Sequence, residues 1–504
     1  MTTENLNNTN ALSEKEFDER EGVKEGVTVR TRFAPSPTGY LHIGGLRTAL
    51  YGYLFAKRHN GKFILRIEDT DTARYVDGSV QIIYDTMRDS GVMYDEGPDV
   101  GGDYGPYVQS ERKAIYKEYA EKLVELGGAY YCFCDEERIA SLKDENGNVR
   151  YDKHCLHLSK EEIEANVKAG KPYVIRQNVP LEGTGTYHDL VYGDISVDYK
   201  DIEDGILLKS DGMPTYNFAN VVDDHLMGIT HVIRGTEYLS STPKYNLMYD
   251  AFGWERPVYI HLPPIMKDAQ HKLSKRNGDA SYADFVEKGY VKQAIINYIA
   301  LLGWSPKSNQ EKMSLEELTE HFSLEGISKS PSIFDDVKLR WLSGEYIKEM
   351  SAEEFKKNAH PFFEKSKAYG KYDEDKLLAL VKGRVQIYSE IPEKLDFLEE
   401  FGEYDLALFE NQKQKSSAEL AKTVLPKIKG VLSSMTDFDN GELFNKMVAL
   451  SAELGIKKQA LLWIMRIAIT GKEATAGGAT EVAEVLGKER TLGRIDYSLS
   501  LLNK

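Results

Sequence analysis

Arg32-Phe33-Ala34-Pro35-Ser36-Pro37-Thr38-Gly39-Tyr40-Leu41-His42-Ile43-Gly44-Gly45 reads as the end of a strand, a stiffened turn and the first turn of a helix. Two prolines hold the turn, and the glycines allow a ligand to approach the backbone closely. A helix beginning near Ile43 would turn its N-terminal amides and positive dipole end toward a phosphate, with His42 at the mouth as a donor. The same stretch taken alone also suits a plain strand-to-helix turn with a surface histidine. No G-x-x-x-x-G-K-[ST] loop occurs, which disfavours a Walker-type NTPase.

Outward from this stretch, short β-rich runs at 27–33, 62–67, 206–209, 230–234 and 257–262 alternate with helical spacing at 43–60, 78–90, 110–126 and 238–252. Such alternation predicts an α/β front half, a parallel sheet covered by helices. From about Ser281 strand signals nearly vanish, and apolar residues at helical spacing in 291–304, 376–387, 417–425 and 460–469 predict an all-α back half. The span 109–206 reads as an insertion with hairpin-like runs at 173–179 and 189–199. Residues 1–26 are polar and acidic with no apolar segment, so they read as a disordered leader and not as a secretory signal.

With 504 residues the chain exceeds what one core organises, and 41% hydrophobic with 29% charged residues is ordinary for a globular protein. No apolar run approaches a membrane span. Three cysteines, Cys132, Cys134 and Cys155, argue against a disulfide scaffold and for a reducing compartment, the cytoplasm by default. The balance of 64 basic against 80 acidic residues, net −16, speaks against an obligate nucleic-acid binder, unless a local basic face serves that role.

Ligands of open α/β sheets bind beyond the carboxyl ends of the strands. Arg32, Glu68 and Arg234 each end such a run, and His271-Lys272-Leu273-Ser274-Lys275-Arg276 follows the last strand. Four elements thus deliver charge to one rim. The last of them is suited to close over a triphosphate, with Lys272 and Lys275 offsetting charge on a departing pyrophosphate. Taken in isolation it reads more readily as a solvated basic loop.

The H-I-G-G and K-L-S-K-R pair resembles the HIGH and KMSKS signatures of class I aminoacyl-tRNA synthetases. The surrounding Arg32–Gly45 stretch, Arg66-Ile67-Glu68-Asp69-Thr70-Asp71, the run from Tyr216 to His225, and Arg234-Gly235-Thr236-Glu237 are similar to the glutamyl-tRNA synthetase branch. One departure is Gly45, where the signature has a second histidine. The resemblance implies ATP bound with Mg2+ at His42, Gly44, Gly45, Lys272, Ser274 and Lys275, with His42, Lys272 and Lys275 catalytic. It implies L-glutamate at Arg32, Ala34, Ser36, Glu68, Tyr216, Asn220 and Arg234. Elementary charge matching agrees, because glutamate offers two carboxylates and one ammonium. Two arginines clamp the former, Arg32 together with Tyr216 being assigned the side-chain carboxylate, and Glu68 holds the latter. Asp69, Asp71, Asp223 and Asp224 read as helix caps outside the site. Adenylation at the ATP α-phosphorus, then transfer to the 3′-terminal adenosine of tRNA-Glu, requires no nucleophilic side chain.

The resemblance also implies the domain plan. A Rossmann-type catalytic domain comprises 27–108 and 207–264, interrupted by an acceptor-binding insertion, 109–206. A stem-contact domain, 265–350, and a helical anticodon-binding domain, 351–504, follow, in a monomer that binds neither DNA nor membrane. Cys132-x-Cys134 and Cys155-x-His157 offer a Cys3His shell for structural Zn2+, with His154 as an alternative ligand and three idle thiols as the plain reading. Arg384, among back-half cations that include Lys338, Arg340, Lys382, Arg466 and Lys472, is similar to an arginine that reads the third anticodon base and rejects tRNA-Gln; it is equally an ordinary solvated arginine. A helical tail argues against a glutaminyl enzyme. Full length argues against small nucleotidyltransferases and truncated tRNA-modifying relatives, and intact signature loops argue against a catalytically dead tRNA-binding protein.

Overall fold

The computed structural model describes residues 14–143, 150–273 and 281–504. They fall into two compact units: one runs through Asp284 and includes Ile296–Asp335, and the other comprises Phe285–Ile295 with Asp336–Lys504. The span 265–350 expected as a single stem-contact domain is therefore divided between them.

The first unit opens with a helix, α1 (Glu14–Arg20). Phe17 stacks on His59, His59 bonds Glu21 at 2.8 Å, and Glu21 accepts the Leu324 amide at 2.6 Å. The expectation of a disordered leader is thus corrected for residues 14–26. Phe17 and the buried Glu21 tie this segment down, a local signal that its polar composition conceals.

β1 (Arg30–Phe33), α2 (Ile43–Arg58) and β2 (Lys62–Leu65) form the parallel unit expected from the quoted stretch, with Arg30 opposite Lys62 and Phe33 opposite Leu65. Ile43, Leu46, Leu50 and Leu54 are wholly buried, the i, i+3, i+7 pattern of a helix laid on a sheet. Gly52 lets that helix approach closely: Thr31 donates to its carbonyl at 2.8 Å and the Phe63 ring lies against it. A Cβ at Gly61 would collide with the Val29 carbonyl, so the turn into β2 admits no side chain.

After α3 (Ser79–Ser90) and α4 (Lys113–Glu125), the insertion carries two short helices, α5 (Glu136–Ala140) and α6 (Lys160–Lys168), and builds its own antiparallel sheet from β3 (Ala129–Cys132), β4 (Val174–Gln177) and, beyond the next hairpin, the Ile206–Leu208 strand. That hairpin, β5 (Thr184–Asp189) with β6 (Gly193–Asp198), belongs elsewhere. It extends the parallel pair β8 (His231–Gly235) and β9 (Val258–Leu262), since Asp189 lies opposite Tyr259. So the structure moves the hairpin from the expected insertion to the central sheet. It moves β7, the Ile206–Leu208 strand, from the expected catalytic domain to the insertion's sheet. The Thr230 amide donates to the Arg30 carbonyl at 2.9 Å, setting β8 beside β1. Between β7 and β8 runs α7 (Tyr216–Leu226), and between β8 and β9 runs α8 (Thr242–Phe252). These helices share a core with α4, β3 and β4 through Tyr116, Leu123, Ile175, Phe218, Val222 and Tyr249.

The second unit is helical, with no strand among its described residues. Its helices Ala352–Phe363, Glu374–Lys382, Ala418–Ser434 and Asn440–Glu453 are each capped by a Ser or Asp side chain (Ser351, Asp373, Ser417, Asp439) that accepts an amide of the first turn. No helix among the described residues is long and apolar enough to cross a membrane.

Candidate active site

The carboxyl ends of β1, β2 and β8 carry Arg32, Glu68 and Arg234 to one neighbourhood, centred on Tyr216 at the start of α7. Tyr216 stands within electrostatic reach of Arg32, Glu68 and Arg234. Its phenol is held well above its ordinary pKa, first by burial and then by Glu68. A cavity of about 320 Å3 lined by Ser36, Glu68, Thr70, Lys209, Thr215 and Tyr216, among others, opens here. The Pro35 carbonyl accepts the Glu68 amide at 3.1 Å, which pins the proline-stiffened turn against the end of β2.

The two arginines differ in a way that spacing cannot reveal. Arg32 is met by Asp224 through two bonds, Nε at 3.0 Å and Nη2 at 3.2 Å, and gives Nη1 to the Ile233 carbonyl. Arg66, wholly buried, bridges Asp224 at 2.7 Å and Glu68 at 2.9 Å. Burial opposes the Asp224 charge, but Arg32 and Arg66 outweigh it and hold the carboxyl below its usual pKa. Burial pushes the Glu68 carboxyl up, against Arg66 and Arg32. Asp223 accepts from Arg112, Gln109 and Tyr116. Both aspartates lie inside α7, so the expectation that they cap helices is corrected; they are the counter-charges of the site. Asp69 accepts the Ser110 amide and hydroxyl, and Asp71 pairs with Arg74.

Arg234 is buried without an acid. Its Nε donates to His261 Nε2 at 3.1 Å and its Nη2 to the Thr242 hydroxyl at 2.6 Å, with the rings of Tyr238, Tyr245 and Tyr259 around it. Among the described residues no carboxylate pairs with it. His261 Nδ1–H donates to Asp189 at 2.7 Å, which leaves Nε2 to accept from Arg234; burial lowers the His261 pKa, against the Asp189 hydrogen bond. Asp189 and His261, brought by β5 and β9, carry no sequence signal for this role. Lys209, which reaches the Thr70 carbonyl at 3.3 Å, was also missed. Asn220 turns back to the Tyr216 carbonyl at 2.7 Å, and Ala34 and Ser36 lie on the first turn, Ser36 exposed.

His42 caps α2, its Nδ1 accepting the Gly44 amide at 2.9 Å, with Gly44 and Gly45 in the first helical turn. Lys272 is exposed on a strand-like bridge to Met266. Ser274, Lys275 and Arg276 lie outside the described residues. The flanks of that segment are placed: Leu273 donates to Ile265 at 3.1 Å, and Ser281 bridges His42.

In the insertion, the sulfurs of Cys132, Cys134 and Cys155 lie within 4.8 Å of one another, with 3.6 Å between Cys134 and Cys155. Tetrahedral zinc thiolates sit about 3.7 Å apart, so the three sulfurs fit such an ion. His157 and His154 are exposed and outside the cluster. The Tyr151 hydroxyl instead lies 3.2 Å from Cys132 and 3.4 Å from Cys134. In the second unit Arg384 gives Nη2 to both Glu481 carboxylate oxygens, at 3.0 and 3.1 Å, and Nη1 to the Leu380 carbonyl, and Arg340, Lys382 and Lys472 also have intramolecular partners.

The family model "tRNA synthetases class I (E and Q), catalytic domain" matches residues 28–341, and "Anticodon binding domain" matches 353–499. The glutamate–tRNA ligase of Clostridium novyi is 54% identical over 94% of this chain and 98% of its own length. That of Clostridium botulinum (strain Eklund 17B) is 55% identical over 94% and 99%. A solved glutamate tRNA ligase from Elizabethkingia meningosepticum, in complex with its amino acid, is 34% identical and superposes with a TM-score of 0.85 over 94% of this chain and all of that one. The chain belongs to the class I tRNA synthetases, in their glutamate–tRNA ligase family.

Proposed function

We propose that this chain activates L-glutamate with ATP in the cavity beside Tyr216 and transfers it to the 3′ end of tRNA-Glu. The observation that carries this reading is Arg234, a buried cation that no acid among the described residues pairs with. Telling glutamate from glutamine means telling a carboxylate from an amide of the same shape. A neutralised Arg32–Asp224 pair is poorly suited to that, whereas a full positive charge in a dry site rejects the neutral amide. We therefore assign the side-chain carboxylate chiefly to Arg234, with Tyr216 beside it, in place of the Arg32 assignment expected from sequence. Among the described residues Arg32 keeps two N–H donors beyond its bonds to Asp224 and the Ile233 carbonyl, and supports a carboxylate from the side of β1. Glu68 receives the ammonium.

The α-carboxylate oxygen attacks the ATP α-phosphorus and the bond to pyrophosphate breaks, the leaving group departing with Mg2+. The 2′- or 3′-hydroxyl of the terminal adenosine then takes the acyl group and releases AMP. His42, Gly44, Gly45 and Lys272, together with Ser274 and Lys275, bind the nucleotide; catalysis is positioning and charge stabilisation. The chain is read as a cytoplasmic monomer. Glutamate-dependent ATP–pyrophosphate exchange, with and without tRNA-Glu, tests the reading: exchange is expected once tRNA is present, and its absence under every condition contradicts it.

For the thiol cluster we infer structural zinc held by Cys132, Cys134, Cys155 and the Tyr151 oxygen; the ion would cross-link β3 to the loop at 151–155. Metal analysis of the purified chain is expected to give one zinc, and Cys155→Ser to lose it with a fall in melting temperature; His157→Ala is expected to retain it. Loss of zinc in His157→Ala, with retention in Tyr151→Phe, contradicts the tyrosine assignment.

At Arg384 the Glu481 carboxylate occupies Nη2 and the Leu380 carbonyl occupies Nη1, so an anticodon base must share or displace one of these acceptors. Charging of purified tRNA-Glu and tRNA-Gln side by side reads its role. Product on tRNA-Glu alone, with Arg384→Gln admitting tRNA-Gln, supports a discriminating enzyme; wild-type product on both opposes it.

A further inference from the structure

Asp189, His261 and Arg234 make a line of three buried polar side chains, set by β5, β9 and β8 in turn. The Asp189 carboxylate takes four N–H groups. Its Oδ1 accepts the amides of Val191 and Tyr192, at 3.0 and 2.8 Å, which folds the turn between β5 and β6. Its Oδ2 accepts the His261 amide at 3.1 Å and His261 Nδ1 at 2.7 Å. Both oxygens thus face backbone amides, which can only donate. An asparagine here would turn its NH2 against an amide N–H in either pose, so the position suits a carboxylate alone.

Arg234 stays protonated and, like those amides, can only donate. Its Nε–H points at His261 Nε2 over 3.1 Å, and Nη2 donates to the Thr242 hydroxyl at 2.6 Å. The first contact requires a lone pair on Nε2, hence a neutral ring with its proton on Nδ1. Asp189 stands at Nδ1 and holds the proton there.

Nε and Nη2 form one edge of the guanidinium, and His261 and Thr242 occupy it. The rings of Tyr238, Tyr245 and Tyr259 surround the group at 4.9 to 5.4 Å. Among the described residues these bonds engage two of the five N–H donors, leaving the Nη1–Nη2 edge, a two-pronged match for one carboxylate. Joining the hairpin to β9 accounts for the amides on Asp189. It does not account for a carboxylate on one nitrogen of the His261 ring and a guanidinium on the other.

We propose that Asp189 and His261 are positioning residues for the glutamate side chain. Asp189 fixes the His261 proton on Nδ1, and the bare Nε2 holds Arg234 so that its Nη1–Nη2 edge meets the substrate carboxylate. The inference rests on the assignment of that carboxylate to Arg234. In Asp189→Asn the arrangement inverts: the asparagine NH2 donates to Nδ1, the ring proton moves to Nε2, and it confronts the Arg234 N–H.

The test uses the full chain. Asp189→Asn is expected to raise the KM for glutamate about thirtyfold, the effect of one buried donor left facing another. Its kcat in ATP–pyrophosphate exchange, KM for ATP and affinity for tRNA-Glu should change little, because the contact is made equally before and during reaction. In 15N-histidine spectra the His261 signal, assigned by its loss in His261→Gln, should show Nδ1–H in the wild type and Nε2–H in Asp189→Asn. His261→Leu removes the acceptor and should match the KM of Asp189→Asn, while His261→Gln, which offers an oxygen to Arg234, should recover most of that loss. If Asp189→Asn does not fold, the wild-type spectrum and the two His261 variants decide the matter. A wild-type ring protonated on Nε2, or equal KM values in His261→Leu and His261→Gln, would overturn the proposal. So would folded variants that melt lower yet leave KM and tautomer unmoved, the outcome of a purely structural tie. A KM unmoved by Arg234→Ala would break the reading beneath this one; a KM raised there but not in His261→Leu overturns this inference alone.

Discussion

Arg234→Ala is expected to lower kcat/KM for glutamate by about a thousandfold, the loss typical of a buried charge partner, while tRNA-Glu binding is retained. The variant removes a buried cation that no acid among the described residues neutralises, and leaves its neighbours paired among themselves: His261 keeps Asp189 and Thr242 keeps the Tyr238 carbonyl. Arg234→Lys preserves the charge but loses the planar fork that reaches His261 and Thr242 together, and should recover only part of the activity. Steady-state exchange assays over a range of glutamate concentrations, paired with tRNA binding, check this. An unchanged KM for glutamate would show that Arg234 is only a packed residue.

Asp224→Asn should cost about 3–5 kcal/mol of folding stability, because it strips two buried guanidinium groups, Arg32 and Arg66, of their shared counter-charge. A fall of about 10 °C in the melting temperature of the catalytic unit corresponds to that loss. The pH dependence carries a sign. The Asp224 carboxyl is held below its reference value of 3.8 in the folded protein. Its contribution is therefore complete above about pH 4 and is lost as the pH falls through the depressed value. Wild type and variant should differ by a constant amount from neutrality down to about pH 4, then converge under more acid conditions. A difference that grows on acidification would contradict the network. Denaturant titrations at several pH values measure it.

Much of the architecture was legible because local periodicity and local punctuation decide it. The runs at 62–67, 230–234 and 257–262 became strands within a few residues of those bounds, and α2 began at Ile43 where His42 caps it. Residues that act through chain-distant partners were not legible. Arg32 and Asp224 are 192 positions apart, and nothing local to either announces that one neutralises the other. Asp223 and Asp224 looked like caps because capping is the common use of aspartate, yet a helix interior accepts both once buried arginines face them. The alternating burial of Thr184–Asp189 marks a half-buried strand, but which sheet it joins depends on Tyr259, far along the chain. Tyr151 went unseen as a companion of the thiols because ligand spacing is read from cysteine and histidine, and His157 satisfied that habit while facing solvent.

The reading of the site depends on an acid-free arginine being kept for the substrate's side-chain carboxylate. A crystal structure of the chain with a non-hydrolysable analogue of glutamyl-adenylate measures this directly. The account predicts that carboxylate about 3 Å from the Arg234 guanidinium, with the amino group on Glu68 and the adenosine beside His42. A side-chain carboxylate bound away from Arg234, with that guanidinium still satisfied by His261 and Thr242 alone, would contradict it.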